Sequence, residues 1–599
     1  MNWISLRTSI WNQNWMRRRL LLASLLVAGV AGAGIAIFEV ETASPAPLAS
    51  FAPSGALLAI ESPDFSALLK AWTGSAEEQR WLAGDNYAAF SRSRLFGRLG
   101  QAQSEFATTA GLPPDAQFLQ AIAGQQSLLA WYDIGNLQFL YITRMPSGNA
   151  ANSPLLALRD KFEQRKAGDT TFYVRSQTDG DSGQTRTVAF AVRGDYLLLA
   201  TREDLLASAL DLMQHPAGRT LAGDAWYSAA AAAAGKPTSD LRMTLNLAQI
   251  VRSPYFRSYW IQKNVTDLKQ YTAALTDLYR TPENLRDERV LLAANPDVKP
   301  AAAALSPVLN YVPQDSGVYR AISQPSTEEV LAQLEDYLLS PAPAAYRDTR
   351  SAPQADLSTP VAGDDATFEE RIDEPLLVAP TTDAALASLR SLLNAAQPSA
   401  MLTYATAATA SDASADSVLY PVRSAVALYA ASGWNPAAVQ QALTAALSPQ
   451  LSIGGAGITW AERKDSGGSW YELSGLRGMA LALRGQICVL ASDPTTLAQM
   501  LSAASTSSKT PRVATIVAGF SPRTERAEFL RLTRLLDHSG QPSPPGSPPP
   551  FFSGNLTSLS DTFQDLDAET FTQTTTPDHV THQTVLYHWR KYRRPWHSQ

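Results

Sequence analysis

The residues best suited to metal chemistry lie near the end of the chain. Of its six histidines, four come after residue 578: His579, His582, His588 and His597. Period-two alternation of polar and apolar residues predicts strands over 570–576 and 580–589. On a strand, His582 and His588 share a face about 20 Å apart at 3.3 Å per residue, and His579 points to the other face. One metal ion cannot bind side chains that far apart, so the sequence predicts no metal site. These histidines are better interpreted as polar residues on the faces of a hairpin at the edge of a sheet.

A second candidate for binding is the mixture of cations and aromatic rings at the C-terminus. It consists of Trp589, Arg590, Lys591, Arg593, Arg594 and Trp596. Basic and aromatic side chains together favour anionic lipid headgroups or other polyanions. A solvated C-terminus is the alternative interpretation. Residues 591–599 are therefore treated as a basic aromatic tail that is a candidate contact for polyanions.

The sequence lacks the short motifs that mark common active sites. It has no Gly-x-Ser-x-Gly elbow, no His-Glu-x-x-His helix and no Walker-type phosphate loop. The single cysteine, Cys488, lies in the apolar run 487–490, which favours a small buried side chain over a reactive thiolate. We predict no catalytic, cofactor-binding or metal-binding residues and favour a protein that is not an enzyme. An active site without a short motif stays open, because acid–base pairs cannot be chosen without a fold.

Composition and charge restrict the classes of partner. The chain has 45% hydrophobic and 17% charged residues, which is enough to bury large cores. Residues 1–38 contain four of the 49 basic residues and none of the 55 acidic ones, which leaves 45 basic residues and a net charge of −10 for the remainder. Phosphate recognition needs clustered lysine and arginine. The acidic body therefore argues against nucleic acid as a partner.

The N-terminal region has the pattern of a membrane anchor. Directly after Arg17, Arg18 and Arg19, nineteen uncharged and mostly apolar residues run from Leu20 to Phe38. At about 1.5 Å per residue, this run approaches the roughly 30 Å of a bilayer core. The positive-inside rule places residues 1–19 in the cytoplasm and the bulk of the chain across the membrane. The alternative is a cleaved secretory signal ending near residues 42–44. A single cysteine suits the bacterial periplasm, so we predict a single-pass inner-membrane protein.

Two pairs of similar segments indicate an internal duplication. Residues 54–63 match 316–325, each with a glycine turn, a short apolar run and a closing proline. The residues that follow, Asp64 and Ser326, are suited to begin helices over 65–72 and 327–339. Ser326 and Glu329 have the spacing of a capping box.

The second pair is 191–201 with 482–492, each a strand, a glycine turn and a buried strand. Thr201 and Ser492 then occupy predicted helix N-cap positions. Residues 127–131 and 137–143 form a predicted hairpin, with 400–406 and 425–431 as its counterpart.

These matches predict an α+β protein with two tandem duplicated domains, 50–300 and 306–590, and mainly antiparallel sheets. Chance similarity over short windows is the alternative. Residues 341–371 and 540–550 are predicted to be disordered insertions, because they are rich in alanine, proline and other small or polar residues. The matched positions are caps, turns and core residues, and the only reactive side chains they share are Arg193 and Arg484. That pattern is typical of a scaffold.

The chain resembles uncharacterised bacterial membrane-anchored proteins with large extracytoplasmic α+β regions, of the domain-of-unknown-function kind. The resemblance depends on the basic lead and anchor, the opening Pro53-Ser54-Gly55, and the Arg-Gly hairpin before a helix. It implies no catalytic residues. Our leading hypothesis is a non-enzymatic binding or scaffold protein of the cell envelope, with the bilayer and an unknown envelope protein as partners. The alternative is a carrier of a lipid or other apolar ligand held between helices and sheets. An envelope hydrolase comes third.

Overall fold

The structure is a computed structural model that describes most of the chain between residues 46 and 589. The described ranges are 46–146, 148–178, 185–252, 268–281, 284–295, 302–313, 316–339, 384–407, 422–451, 458–465, 468–474, 478–506, 512–523, 525–526 and 566–589. The predicted anchor (20–38), insertions (341–371 and 540–550) and tail (591–599) lie outside these ranges. Within them, no helix is both long and apolar enough to cross a membrane.

The chain divides into two compact units. The first unit contains the described residues from 46 to 295 and from 578 to 589, and the second contains those from 302 to 526 and from 566 to 577. Both units mix helices with antiparallel strands, so the predicted α+β class with mainly antiparallel sheets is confirmed. The predicted domain boundaries, 50–300 and 306–590, stay predictions.

The strands are named in chain order. They are β1 (Leu58–Ser62), β2 (Gln126–Asp133), β3 (Gln138–Arg144), β4 (Glu163–Ala167), β5 (Thr170–Thr178), β6 (Thr185–Arg193), β7 (Tyr196–Ala200), β8 (Leu241–Leu245), β9 (Tyr271–Arg280), β10 (Asn284–Ala293), β11 (Ala303–Ala304), β12 (Val318–Ser323), β13 (Ala400–Ala407), β14 (Val422–Tyr429), β15 (Thr459–Asp465), β16 (Gly468–Ser474), β17 (Met479–Arg484), β18 (Ile487–Ala491), β19 (Val513–Ala514), β20 (Ile516–Phe520), β21 (Leu566–Thr575) and β22 (Val580–Trp589).

The helices are named in the same way. They are α1 (Phe65–Trp72), α2 (Ala76–Ala83), α3 (Asp85–Ser91), α4 (Arg94–Ala110), α5 (Ala116–Ile122), α6 (Pro154–Ala157), α7 (Glu203–Gln214), α8 (Ala225–Ala234), α9 (Leu247–Ile250), α10 (Ser306–Leu309), α11 (Thr327–Leu334), α12 (Ala384–Ala396), α13 (Pro436–Leu451) and α14 (Pro494–Thr506). Short 3-10 turns cover Leu48–Ser50, Asn149–Asn152, Arg159–Lys161 and Leu221–Gly223, and a π-helical turn, Glu335–Leu339, follows α11.

The first unit has a large antiparallel sheet in the order β4-β5-β6-β7-β3-β2-β1-β8-β9-β10-β22. Side chains alternate between its two faces. On one face, alanine and leucine residues such as Ala59, Leu128 and Leu140 pack with helices α7 and α8. On the other face, aromatic and leucine residues such as Phe190 and Leu199 pack with helices α4 and α5.

The second unit has an antiparallel sheet in the order β15-β16-β17-β18-β14-β13-β12-β20-β21, and β11 pairs separately with β19. This order corresponds strand by strand to β4-β5-β6-β7-β3-β2-β1-β8-β9 of the first unit. The strand pairings lead from Ala200 on β7 to Ala59 on β1 in the first unit, and from Ala491 on β18 to Tyr319 on β12 in the second. Tyr319 is therefore the structural counterpart of Ala59. The sequence match pairs Ala59 with Ala321 instead. The two ways of matching β1 with β12 differ by two residues, and a shift of two residues keeps each side chain on the same face of the sheet. The predicted duplication requires that the two units share one strand order, as they do here.

Two predicted helix starts and the predicted glycine turns agree with the structure. The Asp64 carboxylate accepts a hydrogen bond from the Ala67 amide at 2.8 Å, and Ser326 and Glu329 form the predicted capping box. The turn glycines of the matched hairpins, Gly194 and Gly485, have φ values of 56° and 61°. Both angles lie in the left-handed region that glycine adopts without steric cost.

The predicted N-caps Thr201 and Ser492 are wrong by one residue. Helix α7 begins after Arg202, and the cap of α14 is Asp493, which accepts from the Thr496 amide at 2.9 Å. The two hydroxyl groups instead accept hydrogen bonds from a neighbouring strand. The Phe139 amide donates to Thr201 Oγ1 at 2.9 Å, and the Ser424 amide donates to Ser492 Oγ at 3.0 Å. The matched residues therefore share a role in holding the sheet together.

The cysteine prediction is confirmed. Cys488 lies on β18 with 6% of its surface exposed, and it packs among Leu428, Leu481 and Leu490. Burial raises the pKa of its thiol to about 12. The thiolate is the reactive form of cysteine, and a raised pKa keeps the thiol protonated at neutral pH. Cys488 is therefore an unreactive side chain of the core.

Candidate ligand-binding cavity

The first unit contains a cavity of about 330 Å³ between one face of its sheet and helices α1, α4 and α5. It crosses the adjacent strands β6, β7, β3, β2, β1, β8 and β9. With about 4.8 Å between neighbouring strands, this path measures roughly 29 Å along the sheet surface. The cavity is therefore elongated across the strands.

The floor of the cavity is a row of side chains set by strand register. Ile60 pairs with Leu129, Leu129 pairs with Tyr141, and Tyr141 pairs with Leu199. Ile60 also pairs with Met243 on β8. Paired residues of antiparallel strands point to the same face, so these side chains form one apolar surface.

The roof is formed mainly by the amphipathic helix α4. Leu99, Ala102, Phe106 and Thr109 line the cavity at spacings of three and four residues, which places them on one stripe of the helix. Ser93 caps the start of α4 by accepting from the Phe96 amide at 3.1 Å, and Gly111 ends it with φ 74°. Helices α1 and α5 complete the roof with Phe65, Leu68, Phe118, Leu119 and Ile122.

Hydroxyl groups in the middle of the floor are joined to one another. Ser127 Oγ lies 2.7 Å from Thr143 Oγ1 and 3.2 Å from the Tyr141 hydroxyl. The Tyr141 hydroxyl donates to the Ile122 carbonyl at 3.0 Å. Burial raises the pKa of Tyr141 to about 12, so its hydroxyl stays neutral at physiological pH. This group of hydroxyls connects the sheet to α5 and stays uncharged.

One end of the cavity is charged. Glu105 on α4 and Arg186 on β6 both line it, and Arg186 Nε lies 2.7 Å from Glu105 Oε2. Arg186 Nη1 also donates to the carbonyl of Asn136, in the turn between β2 and β3, at 3.1 Å. The two side chains are 20% and 25% exposed. The ion pair is therefore partly exposed.

A second polar cluster lies on the opposite face of the same sheet. Arg242 is paired across the strands with both Glu61 and Asp277. Its guanidinium binds Asp277 through two hydrogen bonds, at 2.6 and 2.8 Å, and each of these two side chains is 5% exposed. The Tyr227 hydroxyl donates to Glu61 Oε2 at 2.6 Å. Burial raises the pKa of Glu61, although Tyr227 and Arg242 partly oppose the shift.

The free energy of unfolding of the first unit is expected to fall as pH rises through the raised pKa of Glu61. The folded unit keeps a proton that the unfolded chain, with a carboxyl pKa near 4.5, releases. The stabilisation is therefore complete below the unfolded pKa and lost above the folded one. Glu61→Gln should flatten this part of the profile. Tyr227→Phe should move the fall to higher pH, because the hydrogen bond from Tyr227 lowers the pKa. Urea unfolding at a series of pH values measures both effects, and equal profiles for wild type and Glu61→Gln would contradict this assignment.

None of the candidate site residues chosen from the sequence is among the described lining of this cavity. Trp589 ends β22, where its ring lies 6.4 Å from that of Tyr587, and Arg590, Lys591, Arg593, Arg594 and Trp596 lie outside the described residues. His582 and His588 lie on β22, and His579 lies in the turn before it with φ 62°. Among the described residues, no three potential ligands group around a metal position.

Sequence reasoning missed the cavity because its walls come from seven strands and three helices. No short motif connects residues as far apart as Ile60 and Leu278. One signal was present: the apolar stripe of α4 over residues 99–109. That stripe indicates a buried helix face, but it does not show that part of the face lines an open space.

Comparison with known proteins adds little to this geometry. No family model matches the chain, and no curated protein matches it. A solved structure titled "Structure of crystal form I of TP0453" is similar over 43% of this chain and 82% of its own, with 12% sequence identity and a TM-score of 0.24. A likeness this weak carries no argument about fold or function.

Proposed function

We propose that this protein binds an elongated apolar ligand in the cavity of its first unit and acts as a non-enzymatic carrier in the bacterial cell envelope. The observation that carries the proposal is a mostly apolar cavity, about 330 Å³ in volume, that lies between the sheet and three helices. Natural ligand sites are concave, mostly apolar and supplied with a few polar groups. The structure thus supports the carrier hypothesis more strongly than the scaffold hypothesis.

The size and shape of the cavity favour an acyl chain. A bilayer core of roughly 30 Å contains two layers of chains, so one chain measures about 15 Å. The path of the cavity across the sheet is longer than this. Each buried methylene contributes about 0.8 kcal/mol, and immobilising the ligand opposes part of that gain. An apolar chain alone therefore provides enough free energy for binding.

The chemistry of the lining argues against the hydrolase hypothesis. Among the described lining residues there is no histidine or cysteine, so no Ser–His or Cys–His pair is present. The hydroxyls of Ser127 and Tyr141 are engaged with each other and with neighbouring groups. This arrangement supports binding without chemical change of the ligand.

The proposal includes the cellular location of the protein, at the periplasmic side of the inner membrane. A helix over residues 20–38 would hold the protein in the inner membrane, with the cavity on the periplasmic side. A carrier at this position is close to the source of any lipid ligand. The basic tail from Arg590 to Trp596 would provide a second contact with anionic headgroups.

Filling the cavity is expected to weaken binding. Ala102→Phe adds a ring to the stripe of α4 that faces the cavity, whereas Thr108→Phe adds the same ring on the exposed side of the same helix. We expect at least about tenfold weaker binding for Ala102→Phe, which corresponds to 1.4 kcal/mol, and unchanged binding for Thr108→Phe. Displacement of a fluorescent fatty-acyl probe from the full-length protein measures both. Equal affinities in both variants would place the ligand elsewhere.

A further inference from the structure

We propose that the ligand is an amphiphile with one apolar chain and an uncharged polar head, and that Glu105 and Arg186 select this head. The inference rests on the proposed function and specifies its ligand class. Glu105 and Arg186 are the two charged residues in the described lining of the cavity. The described lining on β8 and β9 is uncharged and consists of Leu241, Met243, Thr276 and Leu278.

This asymmetry sets the direction in which the ligand lies. Arg186 belongs to β6, at one end of the strands that the cavity crosses, and its guanidinium reaches the turn between β2 and β3; β9 lies at the other end. The apolar chain of an amphiphile gains most free energy where it is buried against the uncharged lining on β8 and β9. Its polar head loses least hydration near the partly exposed pair of Glu105 and Arg186. The head therefore lies between α4 and β6, and the chain extends over β2 and β1 toward β9.

The ion pair determines the charge of the head. Arg186 Nε and Glu105 Oε2 are 2.7 Å apart, so any group that reaches one charge also lies close to the other. Two unit charges 4 Å apart interact by about 4 kcal/mol at an effective dielectric constant of 20. An anionic head is then attracted by Arg186 and repelled by Glu105 to a similar extent, and a cationic head meets the same balance with the signs reversed. Neither recovers its cost of desolvation.

An uncharged head with a hydroxyl group uses both residues. A guanidinium only donates hydrogen bonds, and a carboxylate only accepts them. A hydroxyl does both, so it donates to Glu105 and accepts from Arg186 without opposing either charge. Hydrogen bonds to charged groups are worth more than those between neutral groups. Fatty alcohols and monoacylglycerols share this head chemistry.

Four probes with the same saturated chain test the inference on the full-length protein. They are hexadecanol, monopalmitoylglycerol, hexadecyl sulfate and hexadecylammonium, the first two used below their solubility limits and the two ions below their critical micelle concentrations, each in competition with a fluorescent fatty-acyl probe. We expect the two uncharged probes to bind at least about tenfold more tightly than the two ions, which is 1.4 kcal/mol. A difference between hexadecanol and monopalmitoylglycerol shows whether the glycerol group adds contacts.

Matched variants then invert the selectivity. Glu105→Gln removes the carboxylate that repels an anionic head and should improve binding of hexadecyl sulfate about tenfold or more, whereas Arg186→Gln removes the guanidinium that repels a cationic head and should do the same for hexadecylammonium. Each variant replaces a charged hydrogen-bond partner of the hydroxyl with a neutral one, so hexadecanol should bind more weakly, by up to about tenfold. The gain in affinity for the matching ion shows that the cavity is intact. Glu163→Gln is the control, because Glu163 pairs with Arg165 on β4 outside the cavity lining. It should change none of the affinities.

The outcomes separate this inference from the proposed function. Equal binding of all four probes, blocked by Ala102→Phe, would overturn the inference and leave the proposed function standing. Selectivity that is unchanged in Glu105→Gln and Arg186→Gln would do the same. If neither the fluorescent probe nor any of the four competitors binds, both fail. If the fluorescent probe binds and none of the four displaces it, the inference fails and the proposed function stands.

Discussion

Asp277→Ala is expected to lower the free energy of unfolding of the first unit by about 3–5 kcal/mol, the usual loss when one partner of a buried ion pair is removed. Asp277 accepts two hydrogen bonds from Arg242 and a third from the Ser239 hydroxyl at 2.7 Å. Arg242 is buried at 5% exposure, so the variant leaves a guanidinium charge without its bidentate partner. Urea unfolding followed by circular dichroism measures the loss in the transition of the first unit.

Two further variants identify the cause of that loss. The double variant Arg242→Met/Asp277→Leu removes both charges and fills the space with apolar groups, so its stability should return close to that of wild type. Glu288→Ala removes an exposed ion pair with Arg286, in which both side chains are more than 40% exposed, and should have only a small effect. A double variant as unstable as Asp277→Ala would show that packing at this position matters more than charge.

Phe190→Ala should cost a similar amount, about 3–5 kcal/mol, for a different reason. Phe190 is fully buried on β6, and its ring lies 5.0 Å from that of Phe162 and 5.2 Å from that of Tyr173. Removing the ring leaves an internal void and ends both aromatic contacts. The same urea experiment measures the loss.

Phe190→Leu is the matched control because it keeps most of the apolar volume. It should lose less than half as much stability as Phe190→Ala. A loss below about 1 kcal/mol in Phe190→Ala would mean that neighbouring side chains collapse into the space. In that case the core around β6 is less rigid than the ring geometry implies.

These expectations assign different tasks to the two faces of the first unit's sheet. One face carries small residues and the Arg242–Asp277 pair beneath α7 and α8, and it contributes stability. The other face carries larger apolar residues, and α1, α4 and α5 leave an elongated space above it. A sheet that is stabilised on one face can keep a cavity on the other.

Elements that depend on neighbouring residues could be predicted from the sequence. The Asp64 cap, the Ser326–Glu329 capping box and the glycine turns at Gly194 and Gly485 each involve only a few consecutive residues. Their geometry depends on local hydrogen bonds and on the φ angles that glycine allows. The predicted hairpin over 127–143 is confirmed for the same reason, as β2 and β3.

Elements that depend on distant strands could not be predicted in this way. Thr201 and Ser492 have suitable side chains for helix caps, but each hydroxyl accepts from a strand that lies more than sixty residues earlier in the chain. The choice between a cap and a strand contact depends on which amide the register brings within reach. Local propensity contains no information on that register.

The sequence by itself determined the class of the fold, the glycine turns at Gly194 and Gly485, the caps at Asp64 and Ser326, the burial of Cys488 and the expectation of a membrane anchor, because each of these depends on local pattern and composition. Only the tertiary structure decided that Glu105 and Arg186 meet, and that residues from Ile60 to Leu278 enclose one cavity. The physical reason is that a cavity is a space left between elements. Its walls are set by the pairing of strands such as β1 with β8, and by the distance at which α4 packs over them.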